Sequence, residues 1–224
     1  TSDMTLTKDN YYIVENSLLI PRGVNVTVEP GTSIQFWSSD QSNVYGDSYI
    51  AYIQVEGTMT FVGTEAEPIN LFPGKDYEDM QVKVIQQKNG IVDMSYVNII
   101  NPYLQINNAD HMNITQDYDS VCYRDFDSNG ELQKYEGGSS ISVSQMSDSK
   151  ISNLRGNNMY SYVLLTGRYD TVLFNDCQIS YNSIEAVNCT FLGNQGRVED
   201  PWSGTLQYFS SKINNSGNRY MVPR

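Results

Sequence analysis

The chain is poor in positive charge. Its 224 residues hold 14 Lys and Arg against 26 Asp and Glu, a formal net charge of −12. Nucleic-acid binding needs clustered cations to replace condensed counterions, and an anionic membrane surface attracts a polybasic patch. Neither partner is expected here. An acidic surface of this kind suits plain solubility or a protein that binds cations. Histidine occurs once, at His111. Any Ser-His-Asp arrangement would have to be built on it, and Asp110 beside it is not by itself a triad. Cysteine occurs at Cys122, Cys177 and Cys189. An odd number is no disulfide framework, and no CxxC spacing offers a metal site. No apolar run approaches the roughly 20 residues of a membrane span, so no membrane insertion is expected. Leu and Ala are sparse, and no amphipathic pattern lasts three turns, which excludes a helical bundle. GxSxG and phosphate-cradling glycine loops are missing as well. No leader-type segment is visible at Thr1, as expected of a mature or trimmed chain.

What is abundant is Tyr, at 17 residues, Asn at 22, and Ser plus Thr at 37. That is strand, turn and ladder composition. The stretch from Val24 to Phe72 reads as two consecutive passes of one pattern, VNVTVEPGTSIQF and YIQVEGTMTFVGTEAEPINLF. In each, alternating apolar residues run into a Glu closely followed by Gly-Thr, and a second alternating run begins. Val24, Val26 and Val28 point one way and Asn25, Thr27 and Glu29 the other, the period of a strand with one buried face. Pro30-Gly31 and Glu56-Gly57 are turn punctuation. Strand, corner and strand, repeated, describe a chain coiling into a β-solenoid.

The wording of these passes resembles the opening coils of right-handed parallel β-helix repeat proteins. These are found on bacterial surfaces and in the secreted pectate-lyase-like superfamily. The resemblance is good over 12–72 and looser from there to Asn194. It implies an all-β fold, a single right-handed parallel β-helix with capped ends, in an extracellular or cell-surface setting. It implies a fold more firmly than an activity, because this scaffold carries lyases, hydrolases, adhesins and inert stalks alike.

One domain is expected over 1–224. Residues 1–23 read as an N-terminal strand or cap, 24–197 as coils, and 198–224 as a C-terminal cap. A polar insertion runs from Trp37 to Ser48, and the longest interruption, 116–138, is a loop insertion. Five shorter echoes follow the opening: YVNIIN (96–101), HMNIT (111–115), SKISNL (149–154), DCQISYN (176–182) and NCTFLGN (188–194). Each sets one or two buried-type residues in a polar background and ends in or near Asn, or a neighbouring turn residue. Asn tolerates the left-handed conformation of a solenoid corner and can stack into hydrogen-bond ladders. Cys177 and Cys189 fall at matching places in the last two echoes, which favours stacked interior thiols over a disulfide.

The sharpest motif lies in the interruption. Asp125, Asp127, Asn129, Gly130, Glu131 and Glu136 fit the twelve-residue calcium-loop pattern D-x-[DN]-x-[DN]-G-x5-E, which wraps oxygens around one ion with Gly130 at the sharp turn. Calcium is thus the one cofactor suggested, and none is required. The flanks are not helical, and the same residues read as a β-hairpin with VCYRDF and ELQKYE as arms and a Ser-Asn-Gly turn. The two readings are not exclusive.

The family resemblance adds a further candidate set. In pectate-lyase-like enzymes, carboxylates hold calcium while a nearby Arg or Lys takes a proton beside the substrate's carboxylate. Arg124, Asp125 and Asp127 are the catalytic candidates on that reading, although the family's recognisable lyase motifs are not present there. An Arg base also needs unusual surroundings. Tyr118, Tyr123 and Tyr135 are the candidate ligand-binding residues, because Tyr rings stack on sugars and anchor protein contacts. Tyr45, Tyr49, Tyr160, Tyr162 and Tyr169 also lie in or beside loops. For all of them the alternative is packing against the solenoid wall. The expected function is a secreted or surface-attached binding or structural module that recognises glycan or protein through loops on the solenoid face. It would act as a monomer or as part of a larger chain. The competing expectation is a polysaccharide lyase or glycoside hydrolase working in a groove along the parallel sheet.

Overall fold

A strand with one buried face still has to satisfy its backbone N–H and C=O groups, and it does so against another strand. In this chain the partner is nearly always the corresponding strand one pass later. The computed structural model describes residues 2–15, 17–37, 51–74, 81–116, 139–154, 165–175, 177 and 185–190, together with the backbone of 122–126, 132–136, 164, 184, 191–192 and 219–221. The first strands are β1 (Met4–Leu6) and β2 (Tyr11–Glu15). Three passes of three strands follow. They are β3 (Ser17–Ile20), β4 (Asn25–Val28) and β5 (Ser33–Trp37); β6 (Tyr52–Val55), β7 (Thr58–Val62) and β8 (Ile69–Pro73); and β9 (Val82–Gln86), β10 (Ile91–Ser95) and β11 (Val97–Ile100). In the next passes the first two strands fuse. β12 (Pro102–Asp110) leads to β13 (Asn113–Thr115), and β14 (Cys122–Phe126) and β15 (Leu132–Glu136) intervene. Then β16 (Ser140–Ser147) leads to β17 (Lys150–Ser152), and β18 (Leu164–Asp170) to β19 (Leu173–Asn175). β20 (Ile184–Val187), β21 (Thr190–Leu192) and β22 (Arg219–Met221) complete the order.

Two parallel sheets result. One has 11 strands in two limbs that meet at β12. The first limb is β3-β6-β9 joined to the start of β12, where Pro102–Gln105 pair with Val82–Ile85. The second limb is β1-β4-β7-β10 joined to the end of β12, where Asn108–Asp110 pair with Asp93–Ser95. The other sheet stacks 9 strands, β2-β5-β8-β11-β13-β17-β19-β21-β22. Among the described residues β14 and β15 form the one antiparallel pair and there is no helix. The fold is all-β and built from parallel sheets, an arrangement compatible with a parallel solenoid.

The core is a set of in-register columns. Ile53, Val84, Leu104, Ile141 and Leu165 stack on the first limb, and Ile34, Leu71, Ile99, Ile114, Ile151 and Phe174 stack on the nine-stranded sheet, all of them buried. On the second limb the column runs Met94, Ala109, Met146, Tyr169 and Ala186, with a small Ala beside the large residues at two of its rungs. This lets each rung fill the space its neighbour leaves. Tyr169 is therefore a core residue with 0% exposure, not a loop aromatic. Its hydroxyl donates to the carbonyls of Ile141 and Thr166.

The corner between the second limb and the nine-stranded sheet is one or two residues long in the later passes. It is left-handed at Tyr96, His111, Asp148, Thr171 and Asn188. Only the last of these is Asn, but Asn101 and Asn153 are left-handed too where the chain leaves the nine-stranded sheet, so the expectation that Asn marks solenoid corners holds in part. What offsets the conformation for a Tyr or Thr is the ladder itself. Tyr96 N–H donates to Asp110 O, His111 N–H to Ser147 O, Asp148 N–H to Asp170 O and Thr171 N–H to Val187 O.

Register also corrects two alignments read from the sequence. The Val24–Val28 run pairs with β7, not with β6, so Pro30-Gly31 and Glu56-Gly57 mark different corners. Cys177 and Cys189 are buried, on different rungs and at different corners. Cys177 follows β19 and donates to Ile151 O and Asn175 O, whereas Cys189 precedes β21 and donates to Tyr169 O and Val187 O. The echo that belongs before NCTFLGN is Thr171–Asn175, which holds β19.

Candidate functional site

The connections are unevenly placed. Between the limbs they run to four residues at most, and from the second limb to the nine-stranded sheet to six at most, as at 63–68. Every stretch longer than six residues between strands of the two parallel sheets leaves from the nine-stranded sheet: 38–51, 74–81, 116–139 with its hairpin, 153–163, 176–183 and 193–218. All but the last of these lead back to the eleven-stranded sheet. The neck of 116–139 is closed by two buried side chains, with Ser139 Oγ donating to Gln116 Oε1 at 3.0 Å.

The first limb faces outward beside this edge. Its strands read SLLI, YIQV, VKVIQ, PYLQI, SISV and LLT, without a single carboxylate, in a chain of net charge −12. Tyr52, Lys83 and Tyr103 share one outward column. Lys83 Nζ lies 4.6 Å from the Tyr103 ring centre and 5.7 Å from that of Tyr52. Burial lowers the pKa of the Lys83 amine, while the two ring faces favour its charged form. Beside this column Gln54 Nε2 donates to Gln87 Oε1, and Thr166 Oγ1 donates to Ser142 Oγ. The limb thus presents two aromatic rings, one oriented cation and several amide and hydroxyl groups. Such a surface can stack on a flat apolar face and hydrogen-bond to hydroxyls or carboxylates around it.

The residues of the calcium-type pattern, with Tyr118, Tyr123 and Tyr135, belong to the connection 116–139. β14 and β15 form the hairpin, with Cys122 opposite Glu136, Tyr123 opposite Tyr135 and Asp125 opposite Gln133. That register sets Asp125 and Glu136, the first and last positions of the calcium-type pattern, three rungs apart. At the rise of a strand this is roughly 10 Å of backbone. Tyr118, Asp127, Asn129 and Glu131 lie outside the described residues, as do the side chains of Tyr123, Arg124, Asp125, Tyr135 and Glu136. So do Tyr45, Tyr49, Tyr160 and Tyr162. Among the described residues no three His, Cys, Asp or Glu side chains are placed to share a metal ion.

His111 does contact Asp110, with Nδ1 2.8 Å from Oδ2. The nearby serine is on the wrong side for a triad. Ser95 Oγ donates to the same Asp110 Oδ2 at 3.0 Å and not to the imidazole.

Sequence reasoning passed over Tyr52, Lys83 and Tyr103. The signal was their common phase, each preceding a buried Ile, Val or Leu in an alternating run, but only the pairing register turns three distant residues into one column. No protein-family model, curated protein or solved structure matches the chain.

Proposed function

We propose that this chain is an extracellular or cell-surface module, a single right-handed parallel β-helix with capped ends, that binds glycan at its first limb and along the adjoining edge. Right-handedness follows from the strong preference of parallel strand crossovers. The observation that carries the binding reading is the Tyr52–Lys83–Tyr103 column, on a carboxylate-free limb beside the edge where the long connections leave. Those connections also hold Tyr118, Tyr123 and Tyr135, which would extend the aromatic contact to the ligand. A protein partner engaging the same loops is the other outcome of the binding reading. The competing reading is a polysaccharide lyase or glycoside hydrolase acting along the limb, with Arg124, Asp125 and Asp127 as its candidates.

Incubation with a panel of neutral and acidic polysaccharides tests both. Retention of a polysaccharide without release of reducing ends or unsaturated products, weakened about tenfold or more by Tyr103→Ala, supports the module, a loss of the size expected on truncating an aromatic anchor. Turnover that disappears in Asp125→Asn or Arg124→Gln supports the enzyme. Absence of any retention across the panel overturns the glycan reading.

A further inference from the structure

A second surface feature lies on the corner between the second limb and the nine-stranded sheet, away from the long connections. Five successive corners there are only one or two residues long, whereas the connection 63–68 one pass earlier has six residues. The short corners are bordered by an open hollow of about 580 Å³, within the volume range of small-ligand sites. Its lining includes Tyr96 and His111, with Glu65, Asp148 and Lys150 among the charged residues.

The two rings are locked together. Tyr96 and His111 stand on adjacent corners, 4.3 Å between ring centres and 15° from parallel. The imidazole is also oriented. A carboxylate accepts and does not donate, so Asp110 Oδ2 at 2.8 Å places the ring proton on Nδ1. In the neutral ring Nε2 then presents a lone pair. Ser95 Oγ, donating to the same carboxylate oxygen, fixes Asp110 in turn. The His111 side chain is 42% exposed and lines the hollow. The hollow thus offers an oriented nitrogen acceptor, the Tyr96 ring and two carboxylates, against the single cation Lys150. The −12 charge of the whole chain raises the local concentration of cations at such a place.

We propose that this hollow binds a primary ammonium group, with one N–H donated to His111 Nε2 and the charge held beside Asp148, one rung on, at the edge of the Tyr96–His111 stack, while Glu65 adds attraction from two rungs back. A free small amine and a lysine side chain of a partner peptide share that chemistry. The site is separate from the glycan surface proposed above and does not depend on it.

The test is an NMR titration of the intact chain at pH 8 with n-propylammonium, tetramethylammonium and n-propanol. Acetyl-lysine amide and its Nε-acetylated form make up the second arm. Propylammonium should shift the His111 and Tyr96 resonances saturably, while tetramethylammonium, which has no N–H, and neutral propanol should bind at least about fivefold more weakly, the value of one hydrogen bond. Lysine amide binding as well as propylammonium assigns a peptide source; propylammonium alone assigns a free amine. His111→Phe keeps a stacking ring and removes the acceptor, and should weaken propylammonium by about fivefold. Lys150→Gln removes the opposing charge and should tighten it by about threefold at low salt. Equal binding of the three probes, or an unchanged affinity in both variants with the melting temperature preserved, overturns the proposal.

Discussion

The Lys83 ammonium lies 4.6 Å from the centre of the Tyr103 ring, one rung away on the outer side of the first limb. It reaches the Tyr52 ring of the preceding pass as well, at 5.7 Å. One side chain therefore ties three successive passes together across the surface. Partly exposed cation–π contacts contribute roughly 0.5–1 kcal/mol each. Lys83→Met keeps the aliphatic stem and removes the charge. It should destabilise the chain by about 1 kcal/mol and lower the melting temperature by roughly 2–4 °C. Lys83→Arg should stay close to the parent. A Met variant that melts with the parent would show that the rings contribute packing alone.

Gly167 carries a different constraint. Its φ of +116° lies where side chains are strained, and a Cβ placed on it would overlap the Val143 carbonyl oxygen of the neighbouring strand. The pairing of β16 with β18 shifts register between Ser142 and Gln145, next to this contact. Gly167→Ala should therefore cost at least about 2 kcal/mol, from backbone strain and displacement of the ladder. The expected readout is a melting temperature lower by roughly 4–8 °C, or failure to fold. Gly23→Ala is the control. That glycine also has positive φ, at +80°, but nothing lies within 4 Å of its Cβ position, so strain alone is at work there. Equal losses at the two sites would rule out the clash as the dominant effect.

These residues show what the sequence makes legible. Alternation in VNVTV, YIQV and TMTFV gives strands correctly, because a half-buried strand writes its period into its own residues. Which strand pairs with which is another matter. The punctuation Glu-Pro-Gly and Glu-Gly-Thr looks equivalent, yet β4 pairs with β7, so the two stand at different corners. Corner identity depends on how many strands precede it, and a local string does not carry that count. Cys177 looks equivalent to Cys189 for the same reason, although Val172 is the residue one rung from Cys189. The hairpin of β14 and β15 was readable because its turn chemistry is local. The Tyr52–Lys83–Tyr103 column was not, since its members are some 20 to 30 positions apart in the sequence. Ser149 is a further case. It occupies an interior corner position between Met112 and Val172, where its Oγ accepts from Met112 N–H and donates to Ser147 O. A serine in a polar background gives no sign of that.

Asp3 ties the start of β1 to β4, its neighbour in the second limb. Its Oδ1 accepts from both the backbone N–H and the side-chain amide of Asn25, at 2.9 and 3.1 Å, and these bonds hold its pKa below the ordinary 3.8. A carboxyl group whose pKa is lowered by folding stabilises the folded state above its unfolded value, and the contribution fades as pH falls through the folded value. The Asp3 carboxyl should titrate by carbon NMR with a midpoint below 3.8, and the Asn25 amide should shift with the same midpoint. Asp3→Asn should leave the Asn25 amide without that transition. A midpoint at or above 3.8 would mean that the two bonds do not persist in solution.

The hairpin register makes a definite statement about calcium. In a calcium loop the first and last positions converge on one ion. Here Asp125 pairs with Gln133 and Glu136 with Cys122, which sets the two positions roughly 10 Å apart along the ladder. An ion bound through the whole pattern would require the arms to open or change partners. With the register kept, the melting temperature should be the same in EDTA and in millimolar calcium. A ligand present at a hundred times its dissociation constant, and binding only the folded chain, would instead add about 2.7 kcal/mol. That corresponds to a rise of roughly 5–11 °C for a chain of this size. The rise, if lost in Asp125→Asn and in Glu136→Gln alike, would show that both ends of the pattern reach one ion. A rise lost only in Asp125→Asn would place an ion at the end of the hairpin near Asp125 and leave Glu136 out of it. Backbone amide exchange of 122–126 and 132–136 separates these cases. Protection of paired amides that survives saturation with calcium keeps the hairpin, and protection that collapses on binding marks its conversion to a loop.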